Sequence, residues 1–122
     1  MPNAELIDPL KLSRTVTEAY RNVSLGKVND HEIRLSVMTE QFPWHRHPDS
    51  DETFLCVDGD LVIEFSDGQV RVGPGQLITV PAGTLHRTCP AGSRSVNLTF
   101  ERIDAETIFE EYRPNHAPDL AL

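Results

Sequence analysis

His45 and His47 stand two residues apart in the segment Trp44-His45-Arg46-His47-Pro48, and Glu52 follows after a short polar bend, residues 48–51. On an extended strand, residues two apart point to the same face. Two imidazoles on one face can therefore chelate a single ion without a kink, while Arg46 between them points the other way. Glu52 begins the next strand, which can bring its carboxylate back beside the two rings. Phe54 and Cys56 share the face of Glu52 and would form the wall behind the ion. His86 lies far along the chain, just past Pro81-Ala82-Gly83, and a closed β-structure can carry it opposite the first group. Three imidazoles and one carboxylate suit Fe, Mn, Ni, Zn, Co or Cu as a divalent ion, and ligand type does not choose among them. Four protein ligands leave one or two open positions on an octahedral ion for water or substrate. Glu52, if it leaves the metal, and a metal-bound hydroxide are the candidates for proton transfer.

The neighbouring polar residues have plainer readings. His31 sits at a turn and His116 near the end of the chain, both as solvated side chains. Asp49 and Asp51 read as loop carboxylates that cap turns rather than as further ligands. Trp44 reads as packing, Glu64 as a solvent-facing strand residue, and Thr88, on the face of His86, as a hydroxyl that could support a ligand. Cys56 and Cys89 form no disulfide framework and read as two reduced thiols.

Short strands with turn punctuation would position these residues. Residues 23–28 and 33–38 alternate around Asn29-Asp30, which reads as a hairpin with Ile33, Leu35 and Val37 on one face. Further strands are expected over 53–57, 61–65, 69–72, 77–80, 85–89 and 95–101, separated by Gly, Pro and Asp turns. That spacing predicts an all-β sandwich or barrel. Leu12, Val16 and Tyr20 recur every four residues and predict a short helix over 13–21. Asp104 can cap a second helix through Tyr112, stopped by Pro114, before a loose tail. The expected division is a helical arm over 1–22, a barrel over 23–103, and a helix and tail over 104–122.

Two fixed spacings together resemble the motifs of the cupin superfamily. His45-x-His47, four residues, Glu52, six residues and Gly59 resemble the first motif. Gly75, five residues, Pro81-x-Gly83, two residues and His86 resemble the second. The stretch from Trp44 to Phe54 is similar to that of small single-domain cupins of the cupin-2, mannose-6-phosphate-isomerase-like or RmlC-like kind. The resemblance implies a double-stranded β-helix, a jelly-roll barrel, holding one metal per chain on His45, His47, Glu52 and His86, usually in a homodimer. Thr39 stands where the pattern usually has a glycine ahead of the first histidine, and Pro90 where an asparagine often follows the last one. Neither position is a ligand.

The 122 residues fit one domain with one core, large enough to fold without a metal. A net charge of −8 argues against nucleic acid and anionic membrane surfaces as partners. No apolar run approaches a bilayer span, and residues 1–5 lack the features of a signal peptide, so the expected location is the cytoplasm. The expected partners are a small-molecule ligand or substrate and a second copy of the chain, with outward apolar residues such as Leu55 and Val57 at the contact. The scaffold hosts dioxygenases, isomerases, lyases and non-catalytic binding proteins, so fold alone does not choose between a metal-dependent enzyme and a metal-anchored binding or sensing module.

Overall fold

The computed structural model describes residues 4–111 as ten antiparallel strands and one short helix. The strands are β1 (Tyr20–Val28), β2 (His31–Met38), β3 (Phe42–Arg46), β4 (Glu52–Asp58), β5 (Leu61–Phe65), β6 (Gly68–Val72), β7 (Leu77–Val80), β8 (His86–Pro90), β9 (Ser95–Arg102) and β10 (Ile108–Phe109). They form two five-stranded sheets, ordered β1-β2-β9-β4-β7 and β10-β3-β8-β5-β6. The chain crosses between the sheets repeatedly, which is the double-stranded β-helix expected. The hairpin β1–β2 turns at Asn29, whose φ of 54° is the left-handed geometry such a tight turn needs.

The core between the sheets is built from both. Met38, Phe54, Cys56, Leu61, Ile63, Val72 and Val80 are buried together. A second cluster, Leu35, Val37 and Val96, lies on the opposite face of the first sheet, packed against Val16, Val23, Leu25, Val57 and Leu98. Alternation along β2 explains the pair of clusters, since Leu35 and Val37 point away from Ser36 and Met38. Val57 is thus partly buried against this chain's own second cluster.

At Gly59, with φ of 70°, a side chain is excluded twice over. The backbone is left-handed, and a Cβ would lie 2.0 Å from the carbonyl oxygen of Arg94.

Both terminal helices differ from expectation. The helix α1 spans Pro9–Ser13, not 13–21. Asp8 caps it by accepting from the Lys11 amide, Pro9 occupies the first turn, and the β-branched Thr15, Val16 and Thr17 follow its end. Tyr20 already belongs to β1. No helix forms over the described part of 104–112. Residues 103–104 make a turn, and β10 joins the second sheet beside β3. Tyr112, Pro114, His116 and the expected tail lie outside the described residues. No helix of the described chain is long and apolar enough to cross a membrane.

Candidate metal centre

His45, His47, Glu52 and His86 converge inside the barrel as the sequence spacing predicts. All four are buried, and one ligand atom from each lies within 4.8 Å of every other. Two ligands held about 2.1 Å from one ion are separated by up to about 4.2 Å, so a small inward adjustment closes the set on a metal. The register explains the meeting. His45 on β3 pairs directly with His86 at the start of β8, with ring centroids 4.2 Å apart. His47 follows β3 on the same side, and Glu52 opens β4 in the facing sheet. Glu52 Oε1 lies 3.1 Å from His47 Nε2 and 3.4 Å from His86 Nε2.

Each imidazole is oriented by a main-chain carbonyl behind it. Nδ1 of His45 donates to Pro43 O, that of His86 to Thr84 O, both at 2.8 Å, and that of His47 to Glu106 O at 2.9 Å. With the proton on Nδ1, the neutral ring turns the Nε2 lone pair inward, the tautomer a metal requires. The lone pairs of His47 and His86 then face Glu52 Oε1, an arrangement that repels unless a proton or a cation stands between them. His47 Nε2 is buried with no aligned hydrogen-bond partner. The donor set thus fits a divalent transition metal.

The electrostatics agree. Burial, then the neighbouring His86, lowers His45 to about 4 and keeps its ring neutral. Burial also acts to lower His47, but the adjoining Glu52 carboxylate outweighs it and lifts His47 to about 9. Burial would raise Glu52, yet His47 and His86 hold it at about 2.

The segment after β9 returns over the site as a strap. Besides the Glu106 carbonyl on His47, the Glu106 amide donates to Asp49 Oδ1, the Glu110 amide to Trp44 O, and Arg46 pairs with Glu110 at 2.8 Å. Asp49 is therefore a turn carboxylate, as is Asp51, which accepts from the Ala82 amide. Glu64 forms a two-pronged pair with Arg87, whose guanidinium stacks 4.8 Å from the Trp44 ring centroid. His31 pairs with Asp30 at the surface.

A cavity of about 350 Å³ is lined in part by His45, His47 and Glu52. Phe54 and Thr88 line it, while Cys56 packs in the core behind, its thiol donating to Gly59 O. Cys56 and Cys89 are both free thiols. The wall on the Phe54 side, across from Thr88, also contains residues that the sequence did not single out: Arg34 on β2, and Asn97, Thr99 and Glu101 on β9. Glu101 Oε2 stands 3.8 Å from His47 Nε2. Burial and the nearby Glu52 raise its carboxyl to about 7 against the pull of His47. The signal was present as Asn97-x-Thr99-x-Glu101 on one face of a strand whose other face carries Val96, Leu98 and Phe100.

Residues 31–99 match the family model described as a cupin domain. The protein YdbB of Bacillus subtilis is 42% identical over 106 residues, covering 86% of this chain and 93% of YdbB. A protein with a double-stranded β-helix domain from Klebsiella pneumoniae has a TM-score of 0.76 at 13% identity, over 90% of this chain and 94% of that one. The DMSP lyase DddQ of Ruegeria pomeroyi has a TM-score of 0.66 at 19% identity, over 75% of this chain and 51% of that one. At these identities the solved structures speak for the fold.

Proposed function

The chain belongs to the cupin family, and from that premise we propose that it is a metal-dependent enzyme acting on a small organic molecule, with one divalent transition metal held by His45, His47, Glu52 and His86. The observation that carries the reading is the convergence of three Nε2 atoms and Glu52 on one point, each ring turned by a backbone carbonyl. A divalent metal bound there supplies Lewis-acid polarisation of a substrate oxygen or a site for O₂.

The chain's own groups supply the rest. Phe54, Phe42 and Leu61 make an apolar wall that excludes water from one side of the cavity. Glu101 places a half-buried carboxylate beside the ligand cluster, where it can accept or return a proton. It takes over the role otherwise left to Glu52, whose closeness to two imidazoles favours keeping it a ligand. The class of reaction is oxygenation, isomerisation or elimination. The fold likeness to a DMSP lyase lends support to the last, because it is chemistry that this scaffold accommodates.

The test begins with untagged protein and elemental analysis. O₂ uptake and product formation are then screened with diols, phenols and keto acids. Stoichiometric metal and a turnover lost in His47→Ala support the enzyme. Ligand-induced thermal stabilisation without turnover in any reaction class would favour a binding or sensing module instead.

A second copy of the chain is the partner proposed for the outer face of the first sheet. Leu98, Leu55 and Leu77 continue the cross-strand row that begins at the buried Leu35, and Leu77 is 64% exposed. Such a row favours burial against an equivalent surface. A clean monomer in sedimentation at micromolar concentration would rule the dimer out. The two free thiols suit a reducing compartment such as the cytoplasm.

A further inference from the structure

Three oxygens on the inner face of β9 lack hydrogen-bond partners. Asn97 Oδ1, Thr99 Oγ1 and Glu101 Oε2 are buried and unpaired among the described residues. Asn97 and Thr99 are 1% and 2% exposed and line the cavity. Buried polar atoms are almost always satisfied, because leaving one unpaired costs stability. Asn97 does use its amide, donating to Ser95 Oγ at 2.9 Å, so only its acceptor oxygen is open. Three open acceptors in a row, at i, i+2 and i+4 of one strand, ending beside the metal ligands, ask for a ligand that brings donors.

The charges narrow what carries those donors. Glu32, Glu52 and Glu101 all border the cavity. Its two guanidinium groups are already engaged: Arg34 by Glu32 at 2.7 Å and by Asn22, and Arg102 by Asp104. Glu52 and Glu101 together would balance a divalent ion and Arg34 balances Glu32, so an anion would find no spare positive charge. A cationic ligand would sit against a divalent ion at the Glu101 end. Neutral hydroxyl groups satisfy the open acceptors without either difficulty.

We infer that the substrate is a small, electrically neutral polyhydroxylated molecule, held along β9 by hydroxyl donors to Asn97 and Thr99 with its reacting end at Glu101 and the metal ligands. The cavity volume lies at the small end of the range for small-molecule sites and suits such a compound. The inference rests on the cavity being the substrate site of the proposed enzyme.

Two variants test it, Thr99→Val, which keeps the shape, and Asn97→Ala. Neither is a metal ligand. Thr99→Val removes an unpaired buried hydroxyl, so the free protein should melt at a higher temperature than the parent. A lower melting temperature would mean the hydroxyl serves the fold, and would overturn the inference. Binding is read by calorimetry against a panel of three- to six-carbon polyols and monosaccharides, with their carboxylate and amine counterparts. The neutral compounds should bind best, and each variant should weaken them roughly tenfold, the value of one lost hydrogen bond. Tighter binding of the acids or amines, no binding by any neutral compound, or unchanged affinity in both variants would overturn it. Metal content is measured separately, and the titrations are run on metal-free and metal-loaded protein. Failure of the metal reading therefore appears in the elemental analysis and not in the ranking of ligands.

Discussion

Raising the pH should unfold the metal-free protein far more readily than the metal-loaded one. The reason is the proton that stands in for the metal between His47 and Glu52. His47 is lifted from 6.5 to about 9. Its contribution is therefore complete below 6.5 and disappears as the pH climbs to 9. Glu52 is lowered from 4.5 to about 2, so its contribution is complete above 4.5 and lost on acidification to 2. The other two groups act between these limits. His45, lowered to about 4, costs stability as the pH falls from 6.5. Glu101, raised to about 7, costs stability as the pH rises from 4.5 to 7. These two oppose each other between 4.5 and 6.5, which leaves a plateau there, and above 7 His47 acts alone. At a limiting slope of about 1.4 kcal/mol per pH unit, reduced near each end where His47 is partly titrated in one state, the fall from pH 7 to 9 is about 2 kcal/mol. The Glu52 shift is the same ion pair seen from its other partner and is not added. Since domains of this size are stable by about 5–15 kcal/mol, the loss is large. Urea unfolding of chelator-treated protein across pH 5–9.5, with a metal-loaded control, measures it. A bound cation replaces the proton, so the loaded protein should show no alkaline decline of this size. A metal-free stability that is flat or rising between pH 7 and 9 would refute the reasoning.

The double substitution of His45 and His86 by alanine should abolish stoichiometric metal while circular dichroism still reports a folded barrel, and unfolding instead would mean the ion is a fold requirement. Asp49→Ala frees the Glu106 amide and should loosen the carbonyl behind His47, weakening metal binding by up to roughly tenfold in competition with a chelator. Gly59→Ala forces a Cβ against the Arg94 carbonyl in a left-handed backbone and should cost more than ~2 kcal/mol in denaturant unfolding. Ile63→Ala empties the middle of the core, where Ile63 is fully buried, and should cost about 2–5 kcal/mol by the same measurement.

The candidate ligands His45 and His47 were legible from strand geometry, and Glu52 and His86 from the spacings shared with cupin motifs. Two histidines at i and i+2 share a face whatever surrounds them, and Gly59, Gly75 and Gly83 have the positive φ that turns demand. The β9 wall was not legible for a physical reason. Ser95, Asn97 and Thr99 alternate with Val96, Leu98 and Phe100, and such alternation ordinarily places the polar face in water. Here the polar face turns inward and the apolar face outward, reversing the usual sense. Only the sheet pairing shows this, through Leu35 and Leu55 on either side of Leu98. The terminal elements were misread because local signals were weak. A four-residue recurrence at Leu12, Val16 and Tyr20 competes with the Asp8-Pro9 start, and the two residues of β10 carry no pattern of their own.

The strap that closes over His47 also bears on how the protein matures. In chain order the four candidate ligands are complete at residue 86, but the carbonyl that turns the His47 ring belongs to residue 106. A nascent chain halted between those points holds every donor and still lacks the clamp that aims one of them. On the proposed metal reading, fragments that end before residue 106 would therefore hold an ion less well than the longer chain.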